Sequence, residues 1–287
     1  MNRWIVGARP RTLPAALVPV ALGAAVAAGE GGAAWWRVVP AGIVSLALQI
    51  GVNFANDYSD GVRGTDEQRV GPTRLVASGL ASARSVKRAA IAAFVVAAAV
   101  GFVLAAVTTW WLIVIGAAAI LAGWFYTGGP RPYGYIGLGE VFVFTFFGLV
   151  ATVGTTYVTL ERIPASAWTL GSAAGFLACA LLVTNNLRDI PGDTEVGKRT
   201  LAVRLGDRRT RFLYVGFLGA TFVAIAITGV LSGGAFIGLI ALPIARRPVT
   251  AISSGASGRD LIAVLGDTGR LQLAVGALTS IGVVLFA

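Results

Sequence analysis

Apolar runs of about 17 to 24 residues recur along the whole chain, separated by short polar breaks. As α-helices these runs are long enough to cross a hydrocarbon core of about 30 Å. The pattern predicts nine helices, at roughly 12–29, 37–56, 84–107, 109–126, 136–158, 166–187, 210–230, 232–249 and 269–287. The breaks carry turn chemistry: EGG at 30–32, TGGPRP at 127–132, ERIP at 161–164 and SGG at 232–234. No polar stretch is long enough for a separate soluble domain. Residues 1–287 therefore read as one all-α polytopic membrane bundle of nine transmembrane helices.

Composition agrees: 56% of the residues are hydrophobic and 13% charged, against about 25% charged in a soluble domain. The net charge of +10 needs no nucleic acid, because topology explains it. Threading the nine helices through a bilayer puts every Lys and Arg on one face except Arg37 and Arg162. That bias sets the N-terminus in the cytoplasm and the C-terminus outside. An even number of spans would spoil the pattern. Arginine far outnumbers lysine, which points to a GC-rich bacterial genome and little more; the expected location is a bacterial plasma membrane with the site facing the cytoplasm. The first apolar run continues as a full span, so no cleavable signal peptide is expected. The single cysteine, Cys179, lies within an apolar run and reads as a buried, inert thiol. Histidine is absent, which leaves acid–base and metal chemistry to carboxylates, tyrosine, lysine or water.

The acids follow the same asymmetry, with only Glu30 and Glu161 on the outer face. NFANDYSDGVRGTDEQRVGPTRL, residues 53–75, follows the second apolar run and gathers Asn53, Asn56, Asp57, Asp60 and Asp66. If the helix continues through them, Asn53 and Asp57 are i,i+4 neighbours, as are Asn56 and Asp60. Carboxylates this close resist joint ionisation unless a cation shares them. Hard oxygen ligands of this kind suit Mg²⁺, which combines a few carboxylates with substrate phosphates. A solvated helix end turning at Gly61 and Gly64 would look similar. A second segment, NNLRDIPGDTEVGKRTLAVRLG at 185–206, repeats the theme with Asn185, Asn186, Asp189 and Asp193. Pro191 argues against a regular helix there. Two such clusters four spans apart look like one site split between two halves.

Arg63, Arg69 and Arg74 accompany the first cluster; Lys198, Arg199 and Arg204 accompany the second. A diphosphate held by Mg²⁺ still needs cationic donors on its outer oxygens. Topology alone would also supply them. A third group, YTGGPRPYGYIGLGE at 126–140, holds Tyr126, Arg131, Tyr133, Tyr135 and Glu140. Interfacial tyrosines commonly form an aromatic belt, but an ionisable residue at a span start marks a candidate site.

Two Asp-rich motifs at the ends of helices 2 and 6 of a nine-helix protein resemble the UbiA superfamily of intramembrane prenyltransferases. The resemblance covers essentially the whole chain. RPRTLP at 9–14, NDYSDGVRGTD at 56–66, YTGGPRPYGYIGLGE and NNLRDIPGDTEVGKRTLAVRLG are similar to the branch that prenylates 1,4-dihydroxy-2-naphthoate in menaquinone synthesis. The broader family has NDxxDxxxD as its first motif; here position 64 is glycine and the acid stands at Asp66, as in the naphthoate branch. The resemblance implies a polyprenyl diphosphate bound through Mg²⁺ by Asn56, Asp57, Asp60, Asp66, Asp189 and Asp193. The donor then ionises, and the naphthoate ring attacks the allylic carbon and loses carbon dioxide, giving demethylmenaquinol. Tyrosine faces would stabilise the allylic cation, and the prenyl tail would lie among the helices, open to lipid. Arg63, Arg131 and Lys198 are expected to hold the diphosphate, with Asn53, Tyr133, Asn185, Asn186 and Arg199 also at the substrates. Glu140 and Tyr126 are expected to orient the acceptor or assist deprotonation. The rivals are another aromatic acceptor, such as 4-hydroxybenzoate, and a secondary transporter. Transporters place their ionisable groups near the midplane, where this chain has none.

Overall fold

The computed structural model describes residues 2–32, 34–65, 71 and 73–286, and these form helices and no strand. A short α1 (Arg3–Ala8) precedes α2 (Pro14–Gly29), with a bend of 50° between the two segments. Pro14 sits at the first helical position of α2, where no N–H donor is needed. There follow α3 (Val38–Arg63), α4 (Ala83–Val107) and α5 (Trp111–Phe125). α6 (Gly139–Val143) and α7 (Ala151–Leu160) form one rod through a π-helical stretch, Phe144–Val150. The rest is α8 (Ala165–Glu195), α9 (Leu201–Ser232), α10 (Leu242–Ser253) with a 3₁₀ lead-in at Gly234–Ala241, and α11 (Asp260–Leu285).

Among the described residues, seven helices are long and apolar enough to cross a membrane, or eight if the bent first pair is one span. Eight of the nine expected runs fall on these helices, counting the bent pair as one; the ninth, 109–126, falls on α5. α5, however, has only 15 residues, a rise of about 22 Å at 1.5 Å per residue. The rods also outrun the apolar pattern at their charged ends. α3 reaches Arg63, where Gly64 (φ 72°) caps it in the left-handed region. α11 begins at Asp260, and a short helical turn from Leu201 precedes the α9 span, from which non-helical Gly206 (φ 76°, ψ 170°) separates it. Hydropathy marks only the stretch that crosses hydrocarbon, whereas intrahelical hydrogen bonds continue into the polar layer. The expected break at Pro191 is corrected: α8 runs through it to Glu195. The bias of the residue before proline is a preference, and here it yields to the packing of α8.

α8 is the central helix, with 67% of its spanning window buried against 28% for α4. One apolar cluster joins α8 to α9, α10 and α11 through residues such as Leu177, Tyr214, Ile252 and Leu271. A second joins α8 to α2 and α7 through Leu22, Val153 and Leu170, and a third ties α3 to α4 through Phe54, Val86 and Phe94. Cys179 is buried, its thiol donating to the Glu140 carbonyl at 3.2 Å.

The π stretch crosses α8 backbone to backbone. A Cβ on Gly148 would stand 2.5 Å from Gly175 Cα and 2.6 Å from the Gly171 carbonyl oxygen, so small residues permit this crossing. Gly148→Ala is expected to cost about 1–3 kcal/mol by overpacking, read as a lower Tm of the detergent-solubilised protein. Gly154→Ala, where a Cβ meets nothing within 4 Å, should be neutral or stabilising. Equal Tm values for the two variants would refute the close crossing. At the end of the bundle remote from the acidic clusters, Arg37 pairs with Glu161 at 2.6 Å and Arg162 with Glu30 at 2.9 Å.

Candidate active site

A cavity of about 1850 Å³ occupies the bundle interior, with a polar mouth and an apolar body. Asn53, Asn56 and Asp60 of α3 line the mouth on one side; Asn185, Asn186, Asp189 and Asp193 of α8 line it on the other. Both sets lie where helices extend past their apolar stretches, so polar side chains reach the cavity without crossing hydrocarbon. The body runs between Gly101 of α4, Gly116 of α5, the π stretch at Phe146 and Phe147, and Gly154 of α7. It reaches Trp111 and Trp168.

Lys198 joins the two halves. Its ammonium lies 3.2 Å from Asp60 Oδ1 and 3.9 Å from Asp193 Oδ1, with the Tyr135 ring centroid 4.6 Å away. Tyr135 donates its hydroxyl to the same Asp60 oxygen at 2.7 Å. Lys198 reaches this point because the turn after α8 folds back, its N–H bonding to the Asp193 carbonyl at 2.8 Å. Asp189 is gripped by its neighbour Arg188, with Nε and Nη2 at 2.7 and 2.9 Å from its two oxygens.

Several expected residues lie elsewhere. Asp57 is fully buried but does not line the cavity: its carboxylate accepts the N–H groups of Leu75 at 2.8 Å and Val76 at 3.0 Å. One residue along a helix turns the side chain by about 100°, which takes Asp57 off the face that Asn56 and Asp60 share. Arg63 is likewise absent from the lining; it donates to the carbonyls of Thr127 and Gly129. Arg131 and Arg199 are exposed and off the cavity, with Arg199 instead giving its backbone N–H to the Tyr135 carbonyl at 2.9 Å. Glu140 is buried outside the lining and accepts from Asn186 Nδ2 at 3.1 Å, so it orients a mouth residue. Its Oε2 has no hydrogen-bond partner among the described residues. Asn53 lines the cavity while its amide donates to Ala8 O and Thr12 Oγ1, fastening the N-terminal segment. Asp66 lies outside the described residues.

The structure adds Arg9, Arg74 and Arg188 to the lining. Arg74 and Arg188 are buried, and Arg188 Nη1 has no hydrogen-bond partner among the described residues. Arg74 follows the first cluster in the sequence, whereas Arg9 and Arg188 are indistinguishable there from the other arginines of a positive face. Tyr126 and Tyr133 do line the cavity, and their rings begin an aromatic series running inward. Tyr126 meets Tyr133 at 5.5 Å, Tyr133 stacks on Phe142 at 4.0 Å, and Phe142 on Phe146 at 6.2 Å. Burial pushes the Tyr126, Tyr133 and Tyr135 hydroxyls well above the ordinary tyrosine range, with Glu140 adding to this at Tyr126 and Asp60 at Tyr135. All three are neutral at physiological pH.

Among the described residues, no three Asp, Glu, His or Cys side chains are close enough to hold a metal by themselves. The mouth nevertheless suits a hard cation completed by substrate oxygens. Asn56, Asp60, Asp189 and Asp193 offer oxygen donors from two sides, and the Lys198 ammonium already lies between Asp60 and Asp193.

The UbiA prenyltransferase family pattern matches residues 16–251. A 1,4-dihydroxy-2-naphthoate octaprenyltransferase of Mycobacterium tuberculosis is 49% identical over 284 residues, covering 99% of this chain and 97% of its own. One from Haemophilus influenzae is 32% identical over 297 residues, covering 99% and 96%. Among solved structures, a UbiA homologue from Archaeoglobus fulgidus bound to GPP and Mg²⁺ superposes with a TM-score of 0.67 at 19% identity, covering 99% of this chain and 100% of that one.

Proposed function

We propose, for a chain that belongs to the UbiA prenyltransferase family, that it transfers a polyprenyl group to 1,4-dihydroxy-2-naphthoate, releasing diphosphate and carbon dioxide. The product is demethylmenaquinol, a menaquinone precursor. The observation that carries this reading is Lys198 spanning Asp60 and Asp193 at the mouth of a long apolar cavity. Such a mouth suits a diphosphate head and such a body suits a polyprenyl tail. The naphthoate acceptor rests on the names of full-length relatives such as the mycobacterial one.

Asn56, Asp60, Asp189 and Asp193 would hold Mg²⁺, as the archaeal homologue's bound Mg²⁺ suggests for this fold. When bound, Mg²⁺ supplies charge neutralisation that makes diphosphate a better leaving group. Lys198, Arg74 and Arg188 give cationic donors to the outer phosphate oxygens. The faces of Tyr126 and Tyr133 flank the allylic carbon and stabilise its developing positive charge. Both phenols stay neutral, so neither tyrosinate competes as a nucleophile. Phe142 and Phe146 continue that wall along the tail and exclude water, which would otherwise trap the cation. Asn186, held by Glu140, is placed to orient the acceptor. The positive-inside bias puts this mouth in the cytoplasm of a bacterial cell. α5 counted as a short span across a locally thinned bilayer makes nine crossings.

The test incubates membranes carrying the protein with 1,4-dihydroxy-2-naphthoate and a polyprenyl diphosphate, with Mg²⁺ or with EDTA. Carbon dioxide release matched to prenylated quinol, and lost in EDTA, is the expected result. Turnover of 4-hydroxybenzoate in preference to the naphthoate would replace the acceptor. Solute uptake into sealed vesicles without prenyl transfer would replace the enzyme with a transporter.

A further inference from the structure

A second cavity, of about 650 Å³, opens between the start of α2 and the α10–α11 corner. It is open to solvent, and its rim carries four exposed guanidinium groups, Arg11, Arg247, Arg259 and Arg270, and a single carboxylate, Asp267. That carboxylate is already shared, with Arg247 Nε at 3.2 Å from one oxygen and Arg270 Nη1 at 3.1 Å from the other. Arg11 and Arg259 make no side-chain hydrogen bond or ion pair among the described residues. The recess therefore holds a surplus of positive charge beside the apolar side chains of Ile262, Leu265 and Leu273. Arg11, Ile262, Leu265 and Gly266 line this recess and the reaction cavity alike, so the two spaces meet along a common wall.

Positive-inside topology accounts for arginines at this end of the bundle. It does not account for four converging on one recess that abuts the reaction cavity. The open recess pairs guanidiniums in excess over its one carboxylate with the apolar side chains of Ile262, Leu265 and Leu273. That combination fits a planar aromatic carboxylate.

We infer that this recess captures the aromatic acid acceptor from water and delivers it past Arg11 into the reaction cavity. The inference rests on the proposed prenyl transfer and adds to it a carboxylate subsite outside the mouth. Guanidinium groups bind the carboxylate while Ile262, Leu265 and Leu273 cover the ring. The two substrates then approach separately: the polyprenyl diphosphate at Asp60 and Lys198, the acceptor from the α2–α11 side.

The experiment compares the wild-type protein with the double variant Arg247→Gln/Arg259→Gln in phosphatidylcholine vesicles, measuring KM for each substrate and kcat. An increase of about tenfold in KM for 1,4-dihydroxy-2-naphthoate, or 1.4 kcal/mol, is expected. The KM for polyprenyl diphosphate and kcat should stay within about twofold, and Arg247→Lys/Arg259→Lys should recover much of the acceptor KM. Unchanged acceptor KM in a folded variant, judged by its Tm, overturns the inference and leaves the reaction standing. A second set of vesicles containing phosphatidylglycerol separates carboxylate from lipid phosphate. A defect that appears only there, and equally for both substrates, assigns the recess to a lipid headgroup and overturns the inference. Wild-type protein that makes no prenylated quinol at saturating substrate overturns the proposed reaction itself, and this inference with it.

Discussion

Asp60→Asn and Asp193→Asn each slow prenyl transfer by about 100- to 1000-fold, the size of losing one preorganised electrostatic partner, while Asp57→Asn spares turnover and weakens the fold. The three acids have the same chemistry and two belong to the same sequence motif; their surroundings separate them. Asp60 and Asp193 lie on either side of the Lys198 ammonium and line the cavity. Asp57 receives the backbone N–H groups of Leu75 and Val76, fixing the segment that follows the α3 end. An asparagine there has one acceptor oxygen and cannot reproduce both bonds, a loss of about 1–3 kcal/mol for a buried unsatisfied group. Initial rates in membranes and Tm in detergent read the two effects separately. Loss of turnover in Asp57→Asn at wild-type Tm would return Asp57 to the metal site and overturn this division.

Gly154→Phe is expected to cut kcat/KM for a long polyprenyl diphosphate by about 10- to 100-fold, matching the 1–3 kcal/mol of an overfilled apolar space. Geranyl diphosphate should be turned over at close to the wild-type rate. Gly154 lines the cavity, and a Cβ there meets nothing within 4 Å. The new ring therefore projects into empty space and leaves the helix packing intact. Fourteen residues separate it from Glu140 at the polar end, about 21 Å along the rod. A ten-carbon chain anchored at Asp60 and Lys198 ends short of that depth, whereas a long chain must pass it or leave the cavity early. Equal losses for both donors would mean that the tail does not run along α7.

The same geometry explains why part of the site was legible beforehand and part was not. Asn56 and Asp60 could be paired because a helix puts i and i+4 on one face, and α3 does continue through them. Asp189 and Asp193 obey the same spacing once α8 is seen to pass Pro191. Asp57 lies off the cavity face because the motif records which acids are near one another in sequence, while a single helical step decides which face each one takes. Arg63 and Glu140 lie off the lining for a related reason. Both are charged and close to the mouth, yet backbone carbonyls engage one and the Asn186 amide engages the other.

By itself the sequence determined that this is an all-helical membrane protein with its charge at one end, and that two amide–carboxylate segments belong to a common site. Those features are local or periodic: hydrophobic run length, the 3.6-residue turn and the bias of positive charge need no knowledge of which helix touches which. Only the tertiary structure decided which cations line the cavity. Lys198 and Arg188 face the cavity while Arg63, Arg131 and Arg199 do not, because long side chains from a uniformly positive face are sorted by neighbours far away in sequence. The recess formed by Arg11 with Arg247, Arg259 and Arg270 was hidden for the same reason. Its walls come from opposite ends of the chain and meet only when α11 packs against α2.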